Sequence, residues 1–182
     1  MHILGIDFTS RPRRRKPITC LHGSFDGKVL RTGELELLPD FDAFEEVLRR
    51  PGPWLAGIDF PFGQARRFVE TIGWPQHWPD YVAHAGGLGR EGFQAALNAY
   101  RAPRVAGDKE HRRRTDIAAG SLSPQKLYGV PVGLMFLEGA PRLLRSGVMI
   151  PHIQDGDPQR LVVEAYPGLV ARQFIGRASY KS

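Results

Sequence analysis

Three acidic residues each close a hydrophobic run. Asp7 follows Ile3-Leu4-Gly5-Ile6, Asp59 follows Leu55-Ala56-Gly57-Ile58, and Glu164 follows Leu161-Val162-Val163. A carboxylate at the end of an apolar strand is desolvated on its strand side, which costs free energy unless a cation or another partner neutralises it. If the three strands are neighbours, the carboxylates meet at the carboxyl edge of one sheet, where open α/β sheets bind ligands. Converging carboxylates repel one another, and a hard divalent cation relieves that repulsion. Mg²⁺ takes oxygen ligands and bridges carboxylates to phosphate. A pair of such ions would clamp the attacking and leaving oxygens of an in-line phosphoryl displacement. Each acid alone also has an ordinary structural reading, Asp7 and Asp59 as turn residues and Glu164 as the partner of an arginine. The recurrence at three strand ends favours chemistry. Asp116, in Arg114-Thr115-Asp116, is a fourth candidate ligand, with a helix N-cap as its ordinary explanation.

The charge balance points to a polyanion as partner. Lys and Arg number 25 against 19 Asp and Glu, a net charge of +6, with a pI near 9.8. The excess is clustered: Arg11, Arg13, Arg14, Arg15 and Lys16 form one run, and Lys109, Arg112, Arg113 and Arg114 another. Solvated loops would explain either run alone. Two arginine-dominated runs in one small domain favour phosphate contact, because the guanidinium fork matches phosphate oxygens. Thr9 and Ser10, directly after the first acid, are candidate hydrogen-bond donors to phosphate. Lys181 is a further candidate phosphate contact near the chain end.

Other chemistries find less support. The six histidines, His2, His22, His77, His84, His111 and His152, are scattered, with no HExxH or zinc spacing, and are expected to pack in the core or on the surface. The single cysteine, Cys20, excludes an internal disulfide and a Cys-rich zinc site. It is compatible with a cytoplasmic location. No apolar run approaches the ~20 residues of a membrane span. The start of the chain, Met1-His2-Ile3-Leu4-Gly5-Ile6, lacks the basic and apolar regions of a signal peptide.

The elements that must position these residues follow from periodicity. The 182 residues suit one domain, which at this length buries roughly 70% of its unfolded surface. Residues 2–8, 17–25 and 28–37 read as strands, with Asp26-Gly27 as a hairpin turn. A helix over 43–50, capped by Asp40 or Asp42, places Phe44, Val47 and Leu48 on one face. Residues 54–60 read as a buried central strand. Helical spacing returns over 64–72 and 90–101. Residues 73–89, with Trp74, Trp78 and Gly86-Gly87-Leu88-Gly89, read as a loop or lid whose tryptophans fold down as a plug or stack on bases. Residues 102–124 read as a long exposed connection. Residues 124–146 read as an apolar helix interrupted near Pro131 and again near Pro141. A strand over 160–165 and a helix over 168–176 close the pattern. The fold class is α/β with a mixed sheet.

Taken together, GIDFTS (5–10), GIDFPFG (57–63), RRRTD (112–116) and VVEAYPGLVAR (162–172) resemble the predicted RNase H-like nuclease family known as domain of unknown function 429. The resemblance spans nearly the whole chain in the same order. It implies an RNase H-like fold with a five-stranded mixed sheet, the first three strands antiparallel, flanked by helices. Residues 1–182 would form one domain, with 64–146 a helical and loop insertion. It implies that Asp7, Asp59 and Glu164 bind two Mg²⁺ or Mn²⁺ ions and hydrolyse phosphodiester bonds, Asp7 bridging both ions. Arg13, Arg14, Arg15, Lys16, Arg112, Arg113 and Arg114 would hold the nucleic-acid backbone. Such nucleases generally use a fourth acid, yet residues 165–182 contain neither Asp nor Glu. Asp116 would supply it, or it lies beyond a C-terminus that the resemblance makes look truncated, or fewer ions bind. Two other classes stay open. One is a nucleotide-binding phosphotransferase-like protein of the sugar-kinase and actin type. The other is a non-catalytic nucleic-acid-binding module.

Overall fold

Alternation of side chains builds the sheet. In β1 (His2–Asp7), Leu4 and Ile6 are buried while Gly5 and Asp7 face outward, the two-residue period of a strand. β2 (Ile18–Phe25) pairs antiparallel with β1, and β3 (Leu30–Leu38) antiparallel with β2. The turn between β2 and β3 is held by Asp26, whose Oδ1 accepts from the backbone N–H groups of Lys28 (3.0 Å) and Val29 (2.9 Å). Gly27 supplies the positive φ of 100° that this turn requires.

On the other side of β1, the strands run parallel. β4 (Trp54–Ile58) pairs with β1, and β6 (Asp157–Glu164) pairs with β4. A two-residue strand, β5 (Val148–Met149), adds to the far edge of β6. The order is β3-β2-β1-β4-β6-β5, a mixed six-stranded sheet flanked by helices. The expected α/β class and antiparallel opening are present, and the sheet has six strands rather than five. The structure, a computed structural model, describes residues 1–176.

One face of the sheet carries the core. Leu4, Ile6, Ile18, Cys20, Ala56, Ile58 and Val162 lie on it and are buried. α1 (Phe41–Arg49) covers part of this core through Phe44, Val47 and Leu48, and Asp40 caps it by accepting from Ala43 N at 2.9 Å. α5 (Val132–Ser146) buries Phe136, Leu137 and Leu143. The opposite face leaves Leu21, Leu35, Leu37 and Val163 exposed. No helix among the described residues is long and apolar enough to cross a membrane.

The middle of the chain is more ordered than its composition suggests. α2 (Arg66–Ile72) is followed by α3 (Trp78–Arg101), so most of the expected loop over 73–89 is helix. Glycine weakens a helix, but Tyr81, Val82 and Ala85 bury one face, and packing overrides propensity. The helix kinks at Gly89, where φ is 63°. At Gly86 a Cβ would lie 3.2 Å from Pro141, so glycine there lets α3 approach α5. Trp74 is buried against Phe68, and Trp78 Nε1 donates to Phe62 O at 2.7 Å, so both fold into the protein. α5 starts at the first interruption expected in 124–146 and runs on through the second, with Pro141 inside it.

Residues 102–124 are likewise not a bare connection. They contain α4 (Arg114–Ala119). A buried polar network ties them down: Gln125 Oε1 accepts from His111 N (2.6 Å) and Ser123 Oγ donates to His111 O (2.7 Å). α6 (Pro167–Ile175) follows β6.

Candidate active site

The site begins with strand register. Ile6, Ile58 and Glu164 are level across β1, β4 and β6. Asp7 and Asp59 are therefore one residue further along. Asp59 N donates to Ile6 O at 3.0 Å and Ala165 N to Ile58 O at 2.9 Å, which extends the parallel ladder past the strand ends. Because side chains alternate, Asp7 and Asp59 share one parity and Glu164 takes the other, that of the core residues Ile6 and Ile58.

The three acids line a single cleft of about 1390 Å³ at the carboxyl edge of the sheet. Asp116 lines it too, from the first turn of α4. The volume exceeds that of most small-ligand pockets, which run to about 1,000 Å³.

The third and fourth acids are joined by Arg113. Its guanidinium donates to both oxygens of Glu164 (2.7 and 2.5 Å) and to both of Asp116 (2.9 and 2.7 Å). Phe62 N also donates to Glu164 Oε2 at 3.0 Å, and Ser121 Oγ to Asp116 Oδ1 at 3.1 Å. Burial alone would raise the Asp116 pKa, but the Arg113 guanidinium outweighs it and holds the carboxyl below its usual range. Burial likewise disfavours charge on Arg113, yet its bonds to the two carboxylates bind its proton more tightly than in an ordinary arginine. Asp116 sits at the third position of α4, where it also accepts from Arg113 N at 2.8 Å. It closes the helix start from the N3 position, by accepting from the N-cap backbone N–H, rather than as the N-cap residue.

The basic runs divide. Arg13 and Lys16 line the cleft and are exposed at its mouth, joined to each other by backbone bonds of 3.1 and 2.8 Å. Arg14, Arg15, Arg112 and Arg114 are exposed and do not line it. Arg113 lines the cleft, but its side chain is only 16% exposed and its fork is engaged by the Glu164 and Asp116 carboxylates. Thr9 and Ser10 line the cleft. Lys181 lies outside the described residues.

Two further cleft residues escaped the sequence reading. Arg90 donates to Ser10 O (3.2 Å) and pairs with Glu138 (3.0 Å), bracing the loop after β1 against α5. Glu138 had a signal, as the only acid in an otherwise apolar and basic helix. Arg90 had none, because the kink at Gly89 sets its place.

No family model, curated protein or solved structure matches this chain. The functional reading therefore stands on the site's own chemistry.

Proposed function

We propose that this chain is a cytoplasmic, metal-dependent nuclease of the RNase H-like class, related to the family its motifs resemble. What carries the reading is the juxtaposition of Asp7 and Asp59 on neighbouring parallel strands, at the edge of a cleft with Arg13 and Lys16 at its mouth. The donor chemistry fits Mg²⁺ or Mn²⁺. Two aspartates offer hard oxygens, and Mg²⁺ is commonly held by one or two carboxylates together with substrate phosphates. Such an ion would neutralise phosphate charge and lower the pKa of an attacking water.

The chain's own residues do the rest. Arg13 and Lys16 attract the polyanion and hold its backbone. Arg90 and Glu138 fix the segment that carries Thr9 and Ser10. Arg113 pairs with both Glu164 and Asp116 and offsets half of their charge, which lowers the repulsion among the four carboxylates of the cleft. Glu164 would reach a cation only by releasing Arg113 from one oxygen.

The test is cleavage of single-stranded DNA, RNA and their hybrid with Mg²⁺ or Mn²⁺. Asp7→Asn and Asp59→Asn are each expected to lower the rate by at least about a hundredfold, the scale of removing one electrostatic stabiliser from a reacting phosphate. Unchanged cleavage in both variants would remove the mechanism. Nucleotide binding with no response to nucleic acid would favour the phosphotransferase-like class.

A further inference from the structure

A second cluster of ligating side chains lies away from the cleft, on the core face of the N-terminal hairpin. Cys20 and His22 are two apart on β2 and so point to the same face. Glu36 lies directly opposite Cys20 on β3. His22 Nε2 is 2.9 Å from Glu36 Oε2 and 4.0 Å from Cys20 Sγ. All three ligand atoms fall within 4.8 Å of one another. Two other residues frame them. His2 Nε2 lies 3.2 Å from His22 Nδ1, with the rings stacked at 5.3 Å. Arg50, after α1, grips both oxygens of Glu36 at 2.7 and 2.8 Å.

We propose that Cys20, His22 and Glu36 form a binding site for one divalent transition-metal ion of the Zn²⁺ class, with His2 positioning His22. The inference is independent of the nuclease reading, because none of these residues lines the cleft. The donor set selects the ion. Thiolate, imidazole and carboxylate together suit Zn²⁺ and Co²⁺, whereas Mg²⁺ takes oxygen alone. The geometry is within side-chain adjustment of what one ion needs. With Zn–S of about 2.3 Å and Zn–N or Zn–O of about 2.0–2.2 Å in a tetrahedron, ligand atoms sharing an ion lie about 3.3–3.7 Å apart. The His22–Glu36 pair, at 2.9 Å, has to open slightly, and the wider separations, 4.0 Å between His22 and Cys20 and up to 4.8 Å within the cluster, have to close.

The surroundings supply orientation. When His22 ligates through Nε2, its Nδ1 carries the hydrogen and donates to His2, the arrangement that fixes a ligating imidazole. Arg50 keeps Glu36 Oε1 while the ion takes Oε2. Cys20 is fully buried, and that burial is the main cause pushing its thiol up to about 11, so the ion-free group is a thiol whose proton leaves as metal enters. The half-buried His22 and Glu36 form the way in.

The experiment is a Co²⁺ titration of the intact chain, read by the thiolate-to-cobalt charge-transfer band in the near ultraviolet. One equivalent is expected to generate the band, and Zn²⁺ to displace it. His22→Gln and Glu36→Gln should weaken binding at least tenfold. His2→Ala should weaken it by about 10–100-fold, the usual cost of removing the partner of a ligating histidine. Asp59→Asn should leave the band intact, which separates this site from the cleft. Cys20→Ser should abolish the band; if that buried variant does not fold, His22→Gln decides. Absence of the band in the intact chain, or an unchanged affinity in His22→Gln, overturns the proposal.

Discussion

The cleft and the hairpin cluster use the same device in different surroundings. In each, a guanidinium grips both oxygens of a glutamate: Arg113 on Glu164, and Arg50 on Glu36. Arg113 also holds a second carboxylate, Asp116, which is 3% exposed. Arg50 is 39% exposed and its glutamate 28%. A buried ion pair is strongly destabilising to break, because it strands a charge away from water. A solvent-exposed pair is worth little. One motif therefore acts as a keystone at the sheet edge and as an adjustable clamp on the hairpin.

The largest effect expected is on stability. Arg113→Met leaves Asp116 charged and buried, at a cost of about 3–5 kcal/mol. Urea unfolding at neutral pH measures it. The pH dependence sharpens the point. In the native chain Asp116 is depressed, so its stabilisation is present above its unfolded pKa of about 3.9 and is lost as pH falls through the lower folded value. In Arg113→Met, burial dominates and raises the Asp116 pKa. Relative to the native chain, the variant should then gain stability as pH falls from 6 towards 4. A deficit that does not change with pH would show that Asp116 is not the stranded charge.

The second effect is smaller by design of the comparison. Arg50→Met should cost about 0.5–1 kcal/mol. Hydrogen bonds from Arg50 are the main cause holding Glu36 down to about 2, despite some opposing desolvation. A depressed carboxyl stabilises above its unfolded pKa of about 4.3 and loses that as pH falls towards its folded value. The gap between native chain and variant should therefore close below pH 4, without the rise from 6 to 4 expected for Arg113→Met. A cost as large as that of Arg113→Met would erase the distinction between the two regions.

The two regions also differed in how legible they were. The acids at three strand ends could be found in one dimension, because each closes its own apolar run and the runs are neighbours in the sheet. Cys20 and His22 are visible as a same-face pair, but Glu36 joins them only through the hairpin register, which composition does not specify. The partners of Arg113 were hidden for a related reason. Its place among Arg112 and Arg114 suggested a phosphate contact and gave no sign of its pairing with Asp116 and Glu164. The helical stretch over 78–89 was hidden by glycines whose low propensity is overridden by the burial of Tyr81, Val82 and Ala85. Local pattern located strands and their acids; tertiary register and packing decided the partners.

The smallest effect tests which cations belong to the cleft. Arg13 and Lys16 line it, while their neighbours Arg14 and Arg15 do not. All four are exposed, so none should change stability much. Binding of a polyanion releases counterions, and each lost phosphate contact lowers the slope of log K against log salt by about 0.7 for a single strand. Arg13→Ala and Lys16→Ala should each reduce the slope by about that amount, measured by fluorescence anisotropy with a labelled single-stranded oligonucleotide, with Ca²⁺ replacing Mg²⁺ to slow cleavage. Arg14→Ala and Arg15→Ala should change it by less than half as much. Equal reductions at all four positions would mean that the basic run acts as a diffuse field, and the cleft mouth would then not be the path of the nucleic-acid backbone.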